Sequence, residues 1–197
     1  MTARPRVIRT ADWAAPVAPH PRRVLRRDPD APHPAAPPLL FLPDRRQPAD
    51  EYAARWLPHA ARRGHCAAVL APRAADPPRT AAALRVAVHD AVQAAVALPR
   101  RAVLCGCGTG ALVARYAMAR YAAAAVVLLN PPRPGWWRRR RLGAPEAPAG
   151  RPRVVVAGCP DDPDTSAAVL AGEAARHGGG PLLFPGRSGD LLGGDAG

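Results

Sequence analysis

The stretch from Arg101 to Pro132, RAVLCGCGTGALVARYAMARYAAAAVVLLNPP, constrains the fold more than any other part of the chain. Val103, Leu104 and Cys105 form an apolar run too short for a helix and read as a buried strand. Gly106, Gly108 and Gly110 then alternate across a tight turn. Thr109 and Ala111 begin a helix in which Leu112, Val113, Tyr116 and Ala117 share one face. Val126 to Leu129 is the next buried strand, stopped by Asn130-Pro131-Pro132.

The flanking sequence repeats this strand–helix alternation. Residues 1–38 are rich in Pro, Arg and Ala and read as a partly irregular N-terminal extension, with one short edge strand within Arg22 to Arg27. Leu39 to Leu42 is a buried strand. A helix is expected from Ala49 to Arg63, with Asp50 and Glu51 at its positive end, Pro58 kinking it and Gly64 ending it. Cys66 to Ala71 is a second strand, and Thr80 to Leu98 a second helix with Leu84, Val88, Val92 and Ala95 at helical spacing. After the glycine turn and its two strands comes a loop of about twenty residues, a length that is usually functional or disordered. Within it, Trp136-Trp137 and Arg138 to Arg141 read as a solvated run with its tryptophans tucked onto the fold. Arg153 to Gly158 is a strand, Thr165 to His177 a helix capped by Asp164 or Thr165, and Leu182 to Phe184 the last strand. Apolar strands alternating with helices imply α/β architecture, a mostly parallel sheet covered on both faces. The strand C-terminal ends then share one rim, where open sheets hold their sites. The domain is expected to span residues 39–192, with 193–197 a disordered tail.

At 197 residues the chain can bury a sizeable core. Its formal charge is +13, and every one of its basic residues except histidine is Arg. The arginines are scattered through a sequence dominated by Ala, Arg, Pro and Gly, so no nucleic-acid partner is expected. No apolar run approaches the length of a membrane span, and the N-terminus lacks the apolar core of a signal peptide. Cys66, Cys105 and Cys159 lie in or beside strands as small apolar residues. Cys105 and Cys107 form C-x-C without a partner motif, so neither a metal nor a disulfide framework is expected, and a reducing cytoplasm is the expected location.

Two site types use such a glycine turn. One is the nucleophile elbow, G-x-S-x-G, which lifts a serine above the sheet on a strained strand-to-helix turn. The other presents backbone N–H groups to a cofactor at a helix N-terminus. In the first reading Gly106, Gly108 and Gly110 take the G, S and G positions, and the nucleophile slot is Gly108, which has no side chain.

The segment order, from about Pro38 to Leu191, resembles the α/β-hydrolase fold of esterases and lipases. VLCGCGTGALVARYA resembles the elbow strand and helix, and VVLLNPP the strand after it. PPLLFLPDRRQPADEYAARWLPHAARRGH resembles the earlier strand, oxyanion loop and first helix. VVVAGCPDDPD and PLLFPGRSGDLL resemble the strands and loops that carry the triad acid and histidine. The resemblance implies a short lid loop, a small-molecule ester-type substrate and no cofactor. It puts the nucleophile at Gly108, the base on or beside Gly189 with Ser188 and Asp190 flanking it, and the acid at Asp162 with Asp161 and Asp164 as rivals. It makes the Thr109 N–H one oxyanion donor, and Pro43-Asp44 stands where a His-Gly pair is usual. Loss of the serine or histidine alone typically costs about a factor of 10⁶ in turnover, so a degenerate, inactive member is the expectation. A shift of the nucleophile to Cys107 needs glycine at positions 105 and 109, which are Cys105 and Thr109. None of His20, His33, His59, His65, His89 and His177 falls on the loop that a base requires.

GCGTG also resembles the first motif of S-adenosylmethionine-dependent methyltransferases. That family usually has an acid two places before the first glycine, here Leu104, and another after the next strand, here Asn130. Its motif also opens the sheet, whereas two strand–helix units precede it here. A third possibility is a non-catalytic interaction or regulatory protein on the hydrolase scaffold.

Overall fold

The computed structural model describes residues 23–31, 33–72, 81–132, 152–162 and 165–185. In chain order these form β1 (Val24–Arg27), β2 (Leu39–Leu42), α1 (Ala49–Arg62), β3 (Ala67–Leu70), α2 (Ala81–Val96), β4 (Val103–Cys107) and α3 (Thr109–Ala117). There follow β5 (Ala125–Leu129), β6 (Arg153–Gly158), β7 (Asp161–Asp162), β8 (Thr165–Ser166), α4 (Ala167–Ala175) and β9 (Leu182–Leu183). The main sheet has seven strands in the order β1-β3-β2-β4-β5-β6-β9. β1 pairs antiparallel with β3 at one edge, and every other pairing in that sheet is parallel.

Parallel strands are covered on both faces, which is why LLFL, AAVL and AVVLL carry no polar residue. Successive strand residues point to opposite faces. Leu40, Leu104, Val126 and Leu128 pack with α2, α3 and Leu170 of α4. Phe41 and Val69 face the other way, onto Tyr52, Leu57 and Ala60 of α1. Phe41, Tyr52 and Trp56 stack as a tilted aromatic group on that face. Among the described residues no helix is long and apolar enough to cross a membrane.

Two buried groups fix the strands that frame the glycine turn. The fully buried Tyr121 hydroxyl accepts the Ala102 N–H at 2.7 Å, which pins the entry to β4. Asn130, just past β5, has φ 44°, the only positive value among the described non-glycine residues. Its Oδ1 accepts the Cys159 N–H at 2.8 Å, and its own N–H donates to the Ala157 carbonyl at 2.9 Å. It therefore ties the ends of β5 and β6 together. Asn130→Ala loses both the side-chain acceptor and the tolerance for this φ, and about 1–3 kcal/mol of stability is expected to go with them. Asn130→Gly keeps the backbone freedom and should lose less, so urea unfolding midpoints should rank wild type, Gly, then Ala.

Three sequence expectations need correction. β4 runs on through Gly106 to Cys107, because the pairing with β5 continues to Leu129, so the turn itself is Gly108 alone. The last helix begins at Ala167 rather than Thr165, and its cap is Ser166, whose hydroxyl accepts the Val169 N–H at 3.4 Å. Thr165 is instead paired with Asp162 in a small antiparallel hairpin, which removes it from the helix. The cap candidate Asp164, the lid loop within residues 133–151 and the tail 193–197 lie outside the described residues.

Candidate functional site

β4 lies near the middle of the sheet, between β2 and β5, and delivers Gly108 at its C-terminal end. Gly108 has φ 52° and ψ −118°, a conformation that side chains rarely adopt. Its N–H still reaches the Leu129 carbonyl at 2.9 Å, and its carbonyl accepts the Ala111 N–H at 3.1 Å, so one residue ends the strand and starts α3. Gly110, in the first turn of α3, lies against the end of β2: a Cβ there would sit 1.8 Å from the Leu42 carbonyl oxygen. This is a sharp strand-to-helix turn with the geometry that a nucleophile elbow uses.

The space above Gly108 is filled by Asp44. A Cβ on residue 108 would lie 2.1 Å from Asp44 Oδ2. That oxygen accepts the Thr109 N–H at 2.8 Å and the Thr109 Oγ1–H at 3.2 Å. The other oxygen, Oδ1, accepts the Arg46 N–H at 2.9 Å, and the Arg45 N–H donates to Thr109 Oγ1 at 3.0 Å. A turn closed by the Gln47 N–H on the Asp44 carbonyl, at 2.9 Å, presents the carboxylate to the elbow. A carboxylate is favourable at the N-terminus of a helix. The expected oxyanion donor, the Thr109 N–H, is therefore engaged by this chain's own side chain. In the sequence Pro43-Asp44 reads only as a turn and as the place of a missing His-Gly pair, whereas the structure brings Asp44 to the Thr109 N–H.

Asp162 stands at the same rim. It is buried in the β7–β8 hairpin just after β6, and its N–H donates to the Cys159 carbonyl at 3.2 Å. Cys107, the last residue of β4, is 4% exposed. Burial first, then the charges of Asp44 and Asp162 and the neighbouring Cys159, push its thiol up to about 12. Asp44 and Asp162 thus both lie close enough to Cys107 for their charges to raise its thiol. The rival acid Asp161 is exposed. Gly189, Ser188 and Asp190 lie outside the described residues, so the base slot is not located.

Burial holds the Cys107 thiol in its protonated form at neutral pH. A thiol shifted this far is a poor nucleophile, because the thiolate is the reactive form. No described histidine is among the groups that raise or lower it. His65 Nδ1 lies 2.8 Å from the Pro37 carbonyl, His59 Nδ1 3.0 Å from an Arg62 nitrogen, and His177 Nε2 3.4 Å from Glu173. We expect iodoacetamide at pH 8 to leave Cys107 unmodified in the native protein and to label it in urea, as read by peptide mass mapping. Because the unfolded thiol ionises near 9 and the folded one does not, Cys107 also lowers stability as pH rises above about 9. Cys105 shares the strand, and burial pushes its thiol up to about 12 as well. Among the described residues, no group of three or more His, Cys, Asp or Glu could hold a metal ion.

Beside the elbow lies a cavity of about 50 Å³ lined by Leu42, Arg45, Leu70, Thr109 and Val113, among others. Ligand sites for drug-sized molecules run to about 300–1,000 Å³.

A mostly parallel sheet covered by helices, with a one-residue strand-to-helix turn at the end of its central strand, is the arrangement of the α/β-hydrolase fold. No protein-family model matches the chain, and no curated protein matches it. Solved structures do match. A Xanthomonas campestris pv. campestris protein assigned to the alpha/beta superfamily of hydrolases superposes with TM-score 0.62 at 19% identity, over 79% of this chain and 87% of that one. An Agrobacterium tumefaciens protein of unknown function, assigned to the alpha/beta hydrolases, gives TM-score 0.60 at 12% identity, over 87% of each chain. A thermophilic esterase from Thermogutta terrifontis, in its propionate-bound form, gives 0.56 at 18% identity, over 98% of this chain and 86% of that one. This chain has the α/β-hydrolase fold. The same topology places the GCGTG turn at the end of the fourth strand, after β2–α1 and β3–α2.

Proposed function

We propose that this chain is a non-catalytic α/β-hydrolase-fold protein, descended from an ester-type hydrolase and without triad hydrolysis of its own. The observation that carries this reading is the carboxylate of Asp44 above Gly108, bonded to the Thr109 N–H. Triad chemistry needs a nucleophile, a base to take its proton and a carboxylate to orient that base. At Gly108 the nucleophile has no side chain. A negative charge fills the adjoining space and takes the donor that would stabilise an oxyanion, which is the reverse of what the transition state requires. Asp162 alone supplies the remaining role. The esterase among the similar structures supports a small ester as the ancestral substrate class. Four free cysteines suit a reducing compartment, and we place the protein in the cytoplasm.

The test is hydrolysis of short-chain nitrophenyl esters by the full chain and by Cys107→Ala, beside calorimetry with S-adenosylmethionine. The expected result is no turnover above buffer from either protein and no heat of binding. Saturable turnover lost on Cys107→Ala would overturn the reading in favour of a thiol enzyme, and cofactor binding would overturn it in favour of a methyltransferase.

A further inference from the structure

We propose that Asp44 is a latch: its carboxylate serves as an intramolecular ligand of the elbow and holds the 43–48 turn shut against the start of α3. The proposal rests on the reading of Gly108 as a vacant nucleophile position, and it assigns that vacancy a structural use. Both carboxylate oxygens are engaged, and they face different elements. Oδ1 takes the Arg46 N–H of its own turn, whereas Oδ2 takes the N–H and hydroxyl of Thr109, 65 residues further along the chain. Thr109 completes the loop by accepting the Arg45 N–H. One side chain thus couples the end of β2 to the elbow.

The latch and a nucleophile exclude one another. The 2.1 Å between Oδ2 and the Cβ position of residue 108 leaves no room for both. Glycine at 108 is therefore what admits Asp44. The cradle it occupies selects a carboxylate, because it offers a backbone N–H and a hydroxyl at the positive end of a helix and no acceptor that needs a proton. A pre-positioned group on the same chain acts at an effective concentration far above any added solute. The native elbow should then ignore external carboxylates, and an elbow stripped of Asp44 should take them up.

The test is amide hydrogen exchange by NMR on the full chain, with Asp44→Gly, with and without sodium acetate, and with sodium chloride as the ionic-strength control. In the wild type the Thr109 amide is protected and acetate changes nothing. In Asp44→Gly the Thr109 and Arg45 amides are expected to exchange about tenfold faster or more, the scale of one lost hydrogen bond. Acetate, and not chloride, then restores protection at Thr109. A purely structural aspartate would show the loss without the rescue. Should Asp44→Gly not fold, Asp44→Asn fills the same space without charge and should show intermediate Thr109 protection with no acetate response. A freely exchanging Thr109 amide in the wild type, unchanged protection in both variants, or a folded Asp44→Gly deaf to acetate each overturn the latch. Ester turnover is read separately: a latch that fails while turnover stays absent overturns the latch alone, because the non-catalytic reading then still rests on the missing side chain at Gly108.

Discussion

Gly110→Val is expected to cost the protein a large part of its stability. A Cβ on residue 110 would lie 1.8 Å from the Leu42 carbonyl oxygen and 2.8 Å from that of Pro43. These are backbone atoms and cannot rotate aside. β2 cannot retreat either, because it is bonded to β3 on one side and β4 on the other. The helix must therefore lift off the sheet, and α3 carries Leu112, Val113 and Tyr116 into the main core. The expected loss is about 4 kcal/mol or more, among the largest for a single substitution, against a total stability of about 5–15 kcal/mol for a typical domain. Gly110→Ala should act in the same direction. Urea titration followed by far-ultraviolet circular dichroism measures both, and a wild-type midpoint for valine would mean that α3 does not seat on β2 in this way.

Gly108→Ser has the second largest expected effect. Serine must adopt φ 52°, at a cost of about 1–3 kcal/mol. It also displaces Asp44 from Thr109, leaving a partly buried carboxylate and an amide to find other partners. The sum is a loss of about 2–4 kcal/mol. Asp44→Gly removes the obstruction, so the double variant Asp44→Gly with Gly108→Ser should be more stable than the two single losses added together. A coupling of about 1–2 kcal/mol is expected from a double-mutant cycle between residues in contact. Simple additivity would show that the two positions do not share a space. Neither variant is expected to hydrolyse esters, since the serine gains no base from the described residues.

Most of the architecture was legible because buried parallel strands read as uninterrupted apolar runs. LLFL, VVLL and VVVAG could hardly be anything else. The elbow was legible for a different reason: three alternating glycines between a strand and a helix mark a close backbone approach. Gly110 makes that approach to Leu42. Asp162 lies just after β6, where the sequence order puts it, and is buried there.

What escaped the sequence is a contact between residues far apart in the chain. An aspartate in Pro43-Asp44-Arg45-Arg46 looks like any solvated turn residue, and nothing local says that it reaches Thr109. Asn130 read as a strand stop, while its side-chain bond to Cys159 depends on β6 lying alongside β5. At Asp164-Thr165-Ser166 the chain offers three good capping residues in a row. The choice of Ser166 follows from the pairing of Thr165 with Asp162, in strands of two residues that leave no periodicity to read.

The proposed non-catalytic reading requires that no side chain at this turn act as a nucleophile, with Asp44 holding the space above Gly108 and the Thr109 N–H. Exposing the full chain to 4-nitrophenyl acetate, quenching in acid and weighing the intact protein and its peptides tests this most directly. The predicted result is an unmodified mass for the peptides that contain Cys107 and Thr109. An acetyl group on either residue would show a working nucleophile at this elbow and contradict the account.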